Sequence, residues 1–271
     1  IEREINQDFR REEDDLYLSI LPTSTHYARN AIFSGLMPSE IEKLYPDYWL
    51  NDDEEGNKNS FESQLLEKQL ARHGKKIKFE YEKINNYKTG EKIVENLSNY
   101  NDNQLVALVY NFIDMLSHAR TESEMIKQLA NDETAFRSLA HSWFTHSPLF
   151  ELLKEVSSKG ASVFITTDHG TIRVQNALKV IGDRKTTANL RYKQGKNLNY
   201  NPKEVFAMNK PGQAYLPVSN LSSSYIFAMN NDFFAYPNNY HHYVKYYKDT
   251  FQHGGISLEE MIIPAITLKG K

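Results

Sequence analysis

Three short stretches bring carboxylates and imidazoles together at spacings a cation can use: Asp114-Met-Leu-Ser-His118, Asp168-His169-Gly170 and His253-Gly254-Gly255. In the first, an Asp and a His four residues apart, just past an apolar run, can turn the same way and bind one divalent ion. Taken alone the pair reads better as a capping Asp and a surface His. In the second, neighbouring strand residues point to opposite faces, so both address one ion only where the chain leaves the strand. Gly170 supplies that freedom, and a carboxylate with an imidazole suits zinc or a similar borderline metal. An exposed loop with a capping Asp fits it equally well. The two glycines after His253 let backbone approach something closely, or make an ordinary turn.

A fourth stretch, Leu21-Pro-Thr-Ser-Thr25, sets three hydroxyls where an apolar run, Tyr17–Leu21, meets a helix. The apolar face of that helix is Tyr27, Ala28, Ala31 and Ile32, and Gly35 ends it. Thr25 is then the N-cap, beside free N–H groups and the positive end of the helix dipole. That place binds phosphate, and with a metal opposite it favours an alkoxide. Five of the six other histidines belong elsewhere. His73 is near a helix end, His241 and His242 lie on a Tyr-rich surface helix, and His141 and His146 flank Trp143-Phe144 at a core or cleft rim.

The elements that must position these groups alternate. A short buried strand over Tyr17–Leu21 precedes the helix that stops at Gly35, and SEIEKLYP makes a brief second helix. NDDEEGNKNS (51–60) reads as a solvated, mobile loop. A helix over 61–72 has Phe61, Leu65, Leu66 and Leu70 at helical spacing, and Gly74 ends it. Strands follow at Ile77–Tyr81 and in QLVALVYNFID (104–114), the latter apolar on both faces as in a parallel sheet. Helices ESEMIKQLA, ETAFRSLAHSWF and SPLFELLKEVSSKG lead to the strand of SVFITTDHG (162–170). The alternation predicts an α/β fold with a mostly parallel sheet, whose working residues gather at the carboxyl ends of strands.

Composition is that of an ordinary globular chain: 271 residues, 40% apolar, 25% charged, net charge −3. The charge gives no help to sequence-independent nucleic-acid binding. The lack of cysteine excludes disulfides and thiolate metal sites and suits a reducing, cytoplasmic setting. No stretch has the length and apolarity of a membrane span.

Taken in order, LPTSTHYARNAIFSG, D-x-x-x-H, T-D-H-G and H-G-G-I-S-x-E-E-M-I-x-P resemble the PglZ domain of the alkaline phosphatase superfamily. Most closely they resemble the output domain of PorX-type bacterial response regulators. The resemblance runs from about Tyr17 to Pro264 and implies one alkaline-phosphatase-like domain over 1–271, with 172–250 as a cap-like insertion. It implies two zinc ions. One is held by Asp114, His118 and His253; the other by Thr25, Asp168 and His169 with an early Asp at the end of a first strand. It further implies in-line attack by the Thr25 alkoxide on phosphorus, a covalent phospho-enzyme and its hydrolysis. No buried strand among the 24 residues before Thr25 provides the early Asp, which is therefore expected upstream of Ile1 together with a receiver domain. Pro46 offers no counterpart of the Asn that assists the oxyanion in nucleotide pyrophosphatases.

The implied substrates are phosphodiesters in short linear or cyclic oligonucleotides. KVIGDRKTTANLRYKQGKN (179–197) carries Lys179, Arg184, Lys185, Arg191, Lys193 and Lys196 against Asp183 alone. Such a patch suits a phosphate-rich ligand, with Arg184, Lys185, Arg191 and Lys193 as its binding residues, or is a solvated basic loop. A reading of another class makes the chain a signalling module with a structural or vestigial metal site. It would act by partner binding or homodimerisation through the aromatic region 225–251, a region that also suits a core.

Overall fold

The computed structural model describes residues 2–183, 186–218 and 222–271, with side chains from Glu4 onward. The chain begins with α1 (Glu2–Asp8), β1 (Phe9–Leu18), α2 (Thr25–Ser34), α3 (Pro38–Leu44) and α4 (Glu62–Arg72). It continues through β2 (Phe79–Ile84), α5 (Tyr87–Glu95), β3 (Leu105–Tyr110) and α6 (Phe112–Glu122). Next come α7 (Glu124–Leu129), α8 (Glu133–Thr145), α9 (Pro148–Ser158) and β4 (Ser162–Thr166). Short strands follow: β5 (Ile172–Arg173), β6 (Asn176–Lys179), β7 (Tyr192–Lys196), β8 (Val205–Met208), β9 (Ser223–Ala228) and β10 (Asp232–Ala235). The chain closes with α10 (Tyr240–Tyr247), β11 (Phe251–Gln252), α11 (Leu258–Met261) and β12 (Ile262–Gly270). This is an α/β fold, divided into two units.

The first unit comprises residues 1–16, 76–166 and 264–271. Its β2 and β3 pair in parallel from Phe79↔Leu105 to Ile84↔Tyr110, and β12 pairs antiparallel with β4. Ile84 and Ile93 pack with Leu152 of α9, and Ile5 and Phe9 pack with Phe144, Leu153 and Leu268. The first strand begins earlier than its sequence suggests: β1 starts at Phe9 and stops at Leu18, before the apolar run ends. FRREEDDLYL has no apolar face, so periodicity could not reveal it. Its place is set by the backbone ladder in the order β1-β12-β4 and by Phe9, 2% exposed, while Leu16 and Leu18 stay exposed.

The second unit holds residues 17–75 and 167–263, so the stretch 172–250 folds in one unit with Thr25. Its main core is aromatic: Tyr27, Trp49, Tyr192, Tyr225 and Phe227 pack with Ile41, Leu65 and Leu216. The antiparallel sheet β7-β9-β8 contributes three of these residues. Much of the aromatic region 225–251 is therefore core: Tyr225, Phe227, Phe233 and Phe234 are at most 1% exposed. β5 pairs antiparallel with β11 and β6 in parallel with β10. Among the described residues no helix is long and apolar enough to cross a membrane.

Candidate active site

The turn between β1 and α2 holds the site's centre. Ser24, in an extended conformation, is the N-cap of α2, and its carbonyl receives the Tyr27 and Ala28 amides at 2.9 and 2.8 Å. Thr25 is therefore the first helical residue and not the cap. The shift frees its hydroxyl from capping, and Thr25 Oγ1 lies 3.0 Å from His169 Nε2. His169 Nδ1 is 3.0 Å from the Gly170 carbonyl, which can only accept, so Nδ1 carries the hydrogen. Nε2 is then the acceptor, and the Thr25 hydroxyl donates to it. A hydroxyl aimed at a fixed basic nitrogen is the arrangement that activates an oxygen nucleophile.

Asp168 stands beside them. Its Oδ2 is buried, has no hydrogen-bond partner and lies 3.7 Å from His169 Nε2. An orphaned carboxylate oxygen is costly unless a cation meets it. The His253 ring stacks on His169 at 4.0 Å between centroids, and its Nδ1–H donates to the Thr23 carbonyl at 3.1 Å. Both imidazoles thus have fixed tautomers, as metal-ligating histidines do. Thr25 Oγ1, Asp168 Oδ2 and His169 Nε2 suit a zinc ion by donor type. Among the described residues no three His, Cys, Asp or Glu side chains gather closely enough to hold a metal ion.

The neighbouring hydroxyls stitch the segments together. Thr23 Oγ1 donates to the Gly255 carbonyl at 2.7 Å and accepts the Gly254 amide at 3.1 Å. Ser19 Oγ donates to the Asp168 carbonyl at 2.5 Å. The glycines are required by close approach. A Cβ on Gly255 would lie 2.6 Å from the Ala228 carbonyl oxygen and 2.7 Å from Arg191 Nη2. A Cβ on Gly170 would lie 2.0 Å from the Glu259 carbonyl oxygen, so packing and not strand exit explains that glycine.

Beneath the His253 loop, Arg191 and Glu260 form a fully buried pair, with Nη2 to Oε2 at 2.6 Å and Nε to Oε1 at 3.1 Å. Glu260 also accepts the Gly255 and Ser257 amides and the Ser257 hydroxyl, and Arg191 donates to the carbonyls of Asn230 and Asp232. The expected role of Arg191 in an open phosphate patch is corrected: Glu260 and carbonyls engage its guanidinium. Lys193 is likewise 1% exposed, donates to the Thr187 carbonyl at 2.8 Å and lies over the Tyr236 ring. Burial lowers its amine to a pKa of about 7. Both residues sit in or next to β7, whose inner face the charge count did not register. Arg184 and Lys185 lie outside the described residues.

The loop 51–60, read as free, is tethered. Asp52 accepts Tyr27 Oη at 2.8 Å and Tyr192 Oη at 3.1 Å, and lies 3.2 Å from His26 Nδ1. Burial, then the Asp52 charge, holds the Tyr27 and Tyr192 phenols well above their usual pKa. Asn59 donates to the Thr25 carbonyl at 3.1 Å. Nothing in a run of polar residues marks Asp52; the Ser257-x-x-Glu260 spacing, by contrast, signals the capping box that Glu260 makes.

Asp114 and His118 belong to the first unit. Asp114 is in the first turn of α6, past the strand end, and His118 lies one turn on, 3.6 Å away. Both are exposed, at 45% and 67% of the side chain. The shared direction foreseen from the spacing is present.

An α/β framework with a hydroxyl, a carboxylate and imidazoles past the ends of β1 and β4 is that of an alkaline phosphatase-like hydrolase domain. The chain belongs to the PglZ family: residues 1–268 match the BREX system PglZ alkaline phosphatase-like domain. Its fold is similar to that of phosphonoacetate hydrolase from Sinorhizobium meliloti 1021 bound to phosphonoformate. The TM-score is 0.50 at 11% identity, covering 98% of this chain and 83% of that one. The same enzyme bound to phosphonoacetate gives a TM-score of 0.47 at 12% identity over the same shares. No curated protein matches the chain.

Proposed function

We propose that this domain is a zinc-dependent phosphodiesterase acting on short linear or cyclic oligonucleotides, with Thr25 as nucleophile. The observation that carries the reading is the Thr25 hydroxyl donating to His169 Nε2 beside the orphaned Asp168 Oδ2. Thr25, Asp168 and His169 would hold one zinc ion. His253, whose Nδ1–H is held by the Thr23 carbonyl, would be a further ligand within the same unit. Bound zinc supplies Lewis-acid polarisation of the phosphoryl oxygens and lowers the pKa of a nearby hydroxyl.

The chain's own residues do the rest. His169 Nε2 accepts the Thr25 hydroxyl and so fixes its oxygen; were zinc held there, that lone pair would go to the ion and the Thr25 proton to solvent. Gly170 fixes His169. Thr23 holds the His253 loop against the nucleophile turn. The Thr25 oxygen–phosphorus bond forms as the ester oxygen leaves on the opposite side, and water then cleaves the threonyl ester. As in PorX-type proteins, the domain would be the cytoplasmic effector of a receiver domain in the same chain, dimerising on activation.

With zinc, the purified protein should hydrolyse bis(p-nitrophenyl) phosphate and cyclic dinucleotides. Thr25→Ala should lose on the order of 10³-fold or more in turnover, as nucleophile removal does elsewhere. Equal activity in Thr25→Ala would overturn the assignment. Zinc binding without turnover of any diester would favour a signalling module with a structural metal.

A further inference from the structure

We propose that the outer face of α10 is a base-stacking platform for the distal end of a short single-stranded oligonucleotide; this rests on the phosphodiesterase reading above. The helix reads YHHYVKYY. Tyr240 and Tyr247 turn inward, onto the core of Ile172, Val174, Phe233 and Ala235, and Tyr240 Oη donates to the Ala177 carbonyl at 2.9 Å. Tyr243 and Tyr246 turn outward, 38% and 42% exposed, with His242 and Lys245 exposed beside them. The inward pair already anchors the helix, so packing does not require the outward rings.

Those rings pack on one another along the helix. His242 stacks on Tyr246 at 6.2 Å and 18°, and Tyr243 on Tyr247 at 6.2 Å and 15°. Tyr246 meets Tyr247 edge-on at 4.8 Å. Every base has a π-face, so a surface of exposed rings tolerates any sequence.

Charge completes the argument. No acidic residue occurs between Asp232 and Asp249, while Lys245 and Lys248 are exposed and Lys179 Nζ stands 4.8 Å over the Tyr240 ring. Asp249 is engaged by Arg173 at 3.1 Å and by Gln175 at 2.7 Å. A polyanion with flat bases is complementary to that face; a protein partner needs no such lack of carboxylates.

The path of the chain ties the platform to the site. α10 runs through Lys248–Thr250 into β11, which pairs with β5, and the next residue is His253. β5 itself follows Asp168-His169-Gly170. Five peptide steps from Lys248 to His253 span at most about 18 Å, and the helix is about 12 Å long. A strand of a few nucleotides bridges that distance; a dinucleotide diester or bis(p-nitrophenyl) phosphate does not.

The test uses two readouts. In the Thr25→Ala background, anisotropy of a short fluorescein-labelled single-stranded RNA reports binding without turnover. Adding Tyr243→Ala and Tyr246→Ala should weaken binding at least about 5-fold per lost stack. Lys245→Glu should weaken it further as salt is lowered. With Thr25 intact, the two Tyr→Ala changes should leave bis(p-nitrophenyl) phosphate turnover unchanged, which also shows that the variant folds. Unchanged RNA affinity with retained turnover overturns the platform and leaves the phosphodiesterase reading intact. If the changes instead abolish self-association in sedimentation and spare RNA binding, the face is a protein interface and the proposal is overturned. If the wild type never turns over the small diester, the phosphodiesterase reading fails, while the binding arm still decides the platform.

Discussion

Asp168 and His169 sit among fixed partners, whereas Asp114 and His118 owe their proximity to one helical turn. The first pair has an imidazole locked by the Gly170 carbonyl, a stacked His253 ring and a carboxylate oxygen buried without a partner. The second is solvent-exposed, its atoms 3.6 Å apart on α6. Spacing brings two side chains together; only a second layer of hydrogen bonds decides which nitrogen an imidazole presents. The second unit makes that layer from Thr23, Ser19, Arg191 and Glu260, so its site is part of what holds the fold.

The largest expected effect tests that contrast. Arg191→Met removes the cation from a buried carboxylate and should destabilise the protein by about 3–5 kcal/mol in urea unfolding. Asp114→Ala removes an exposed i,i+4 partner and should cost no more than about 0.5 kcal/mol. Similar losses for the two would break the comparison.

A smaller effect concerns the same strand. Burial lowers Lys193 to a pKa of about 7, against an ordinary value near 10.5. From about pH 7 to pH 10 the folded state has released a proton that the unfolded chain keeps. Stability from this residue therefore rises with pH across that window, by up to about 1.4 kcal/mol per pH unit. Lys193→Met should remove that component of the slope when unfolding is followed from pH 7 to about pH 9, below the titration of the tyrosines. An unaltered slope would mean that the amine stays charged within the fold.

How much of this was legible depends on what each residue does. T-D-H-G, H-G-G and the turn before α2 stood out because unusual residues interrupt apolar runs at strand ends. Strands β2 to β4 and helices α7 to α9 were visible because they carry apolar periodicity, whereas α5 and α6 were not read as helices. β1 was not visible, since its side chains are mostly polar and its place comes from backbone pairing. Thr25 was placed one residue too early relative to the helix, because Ser and Thr are equally good caps and only the backbone chose Ser24. Asp52 and Arg191 were misread for one reason: a charge count along the chain treats every charge as solvated. Asp52 is enclosed by His26, Tyr27 and Tyr192, and Arg191 by Glu260, residues distant in sequence that only folding assembles.

The most direct test is to quench zinc-loaded protein early in its reaction with bis(p-nitrophenyl) phosphate and map the modified peptide by mass spectrometry. The account predicts a p-nitrophenyl phosphoryl group on Thr25, with Thr23 and Ser24 unmodified, because only the Thr25 hydroxyl faces His169 Nε2. An adduct on Thr23 or Ser24, or full turnover by Thr25→Ala with no adduct at all, would contradict it.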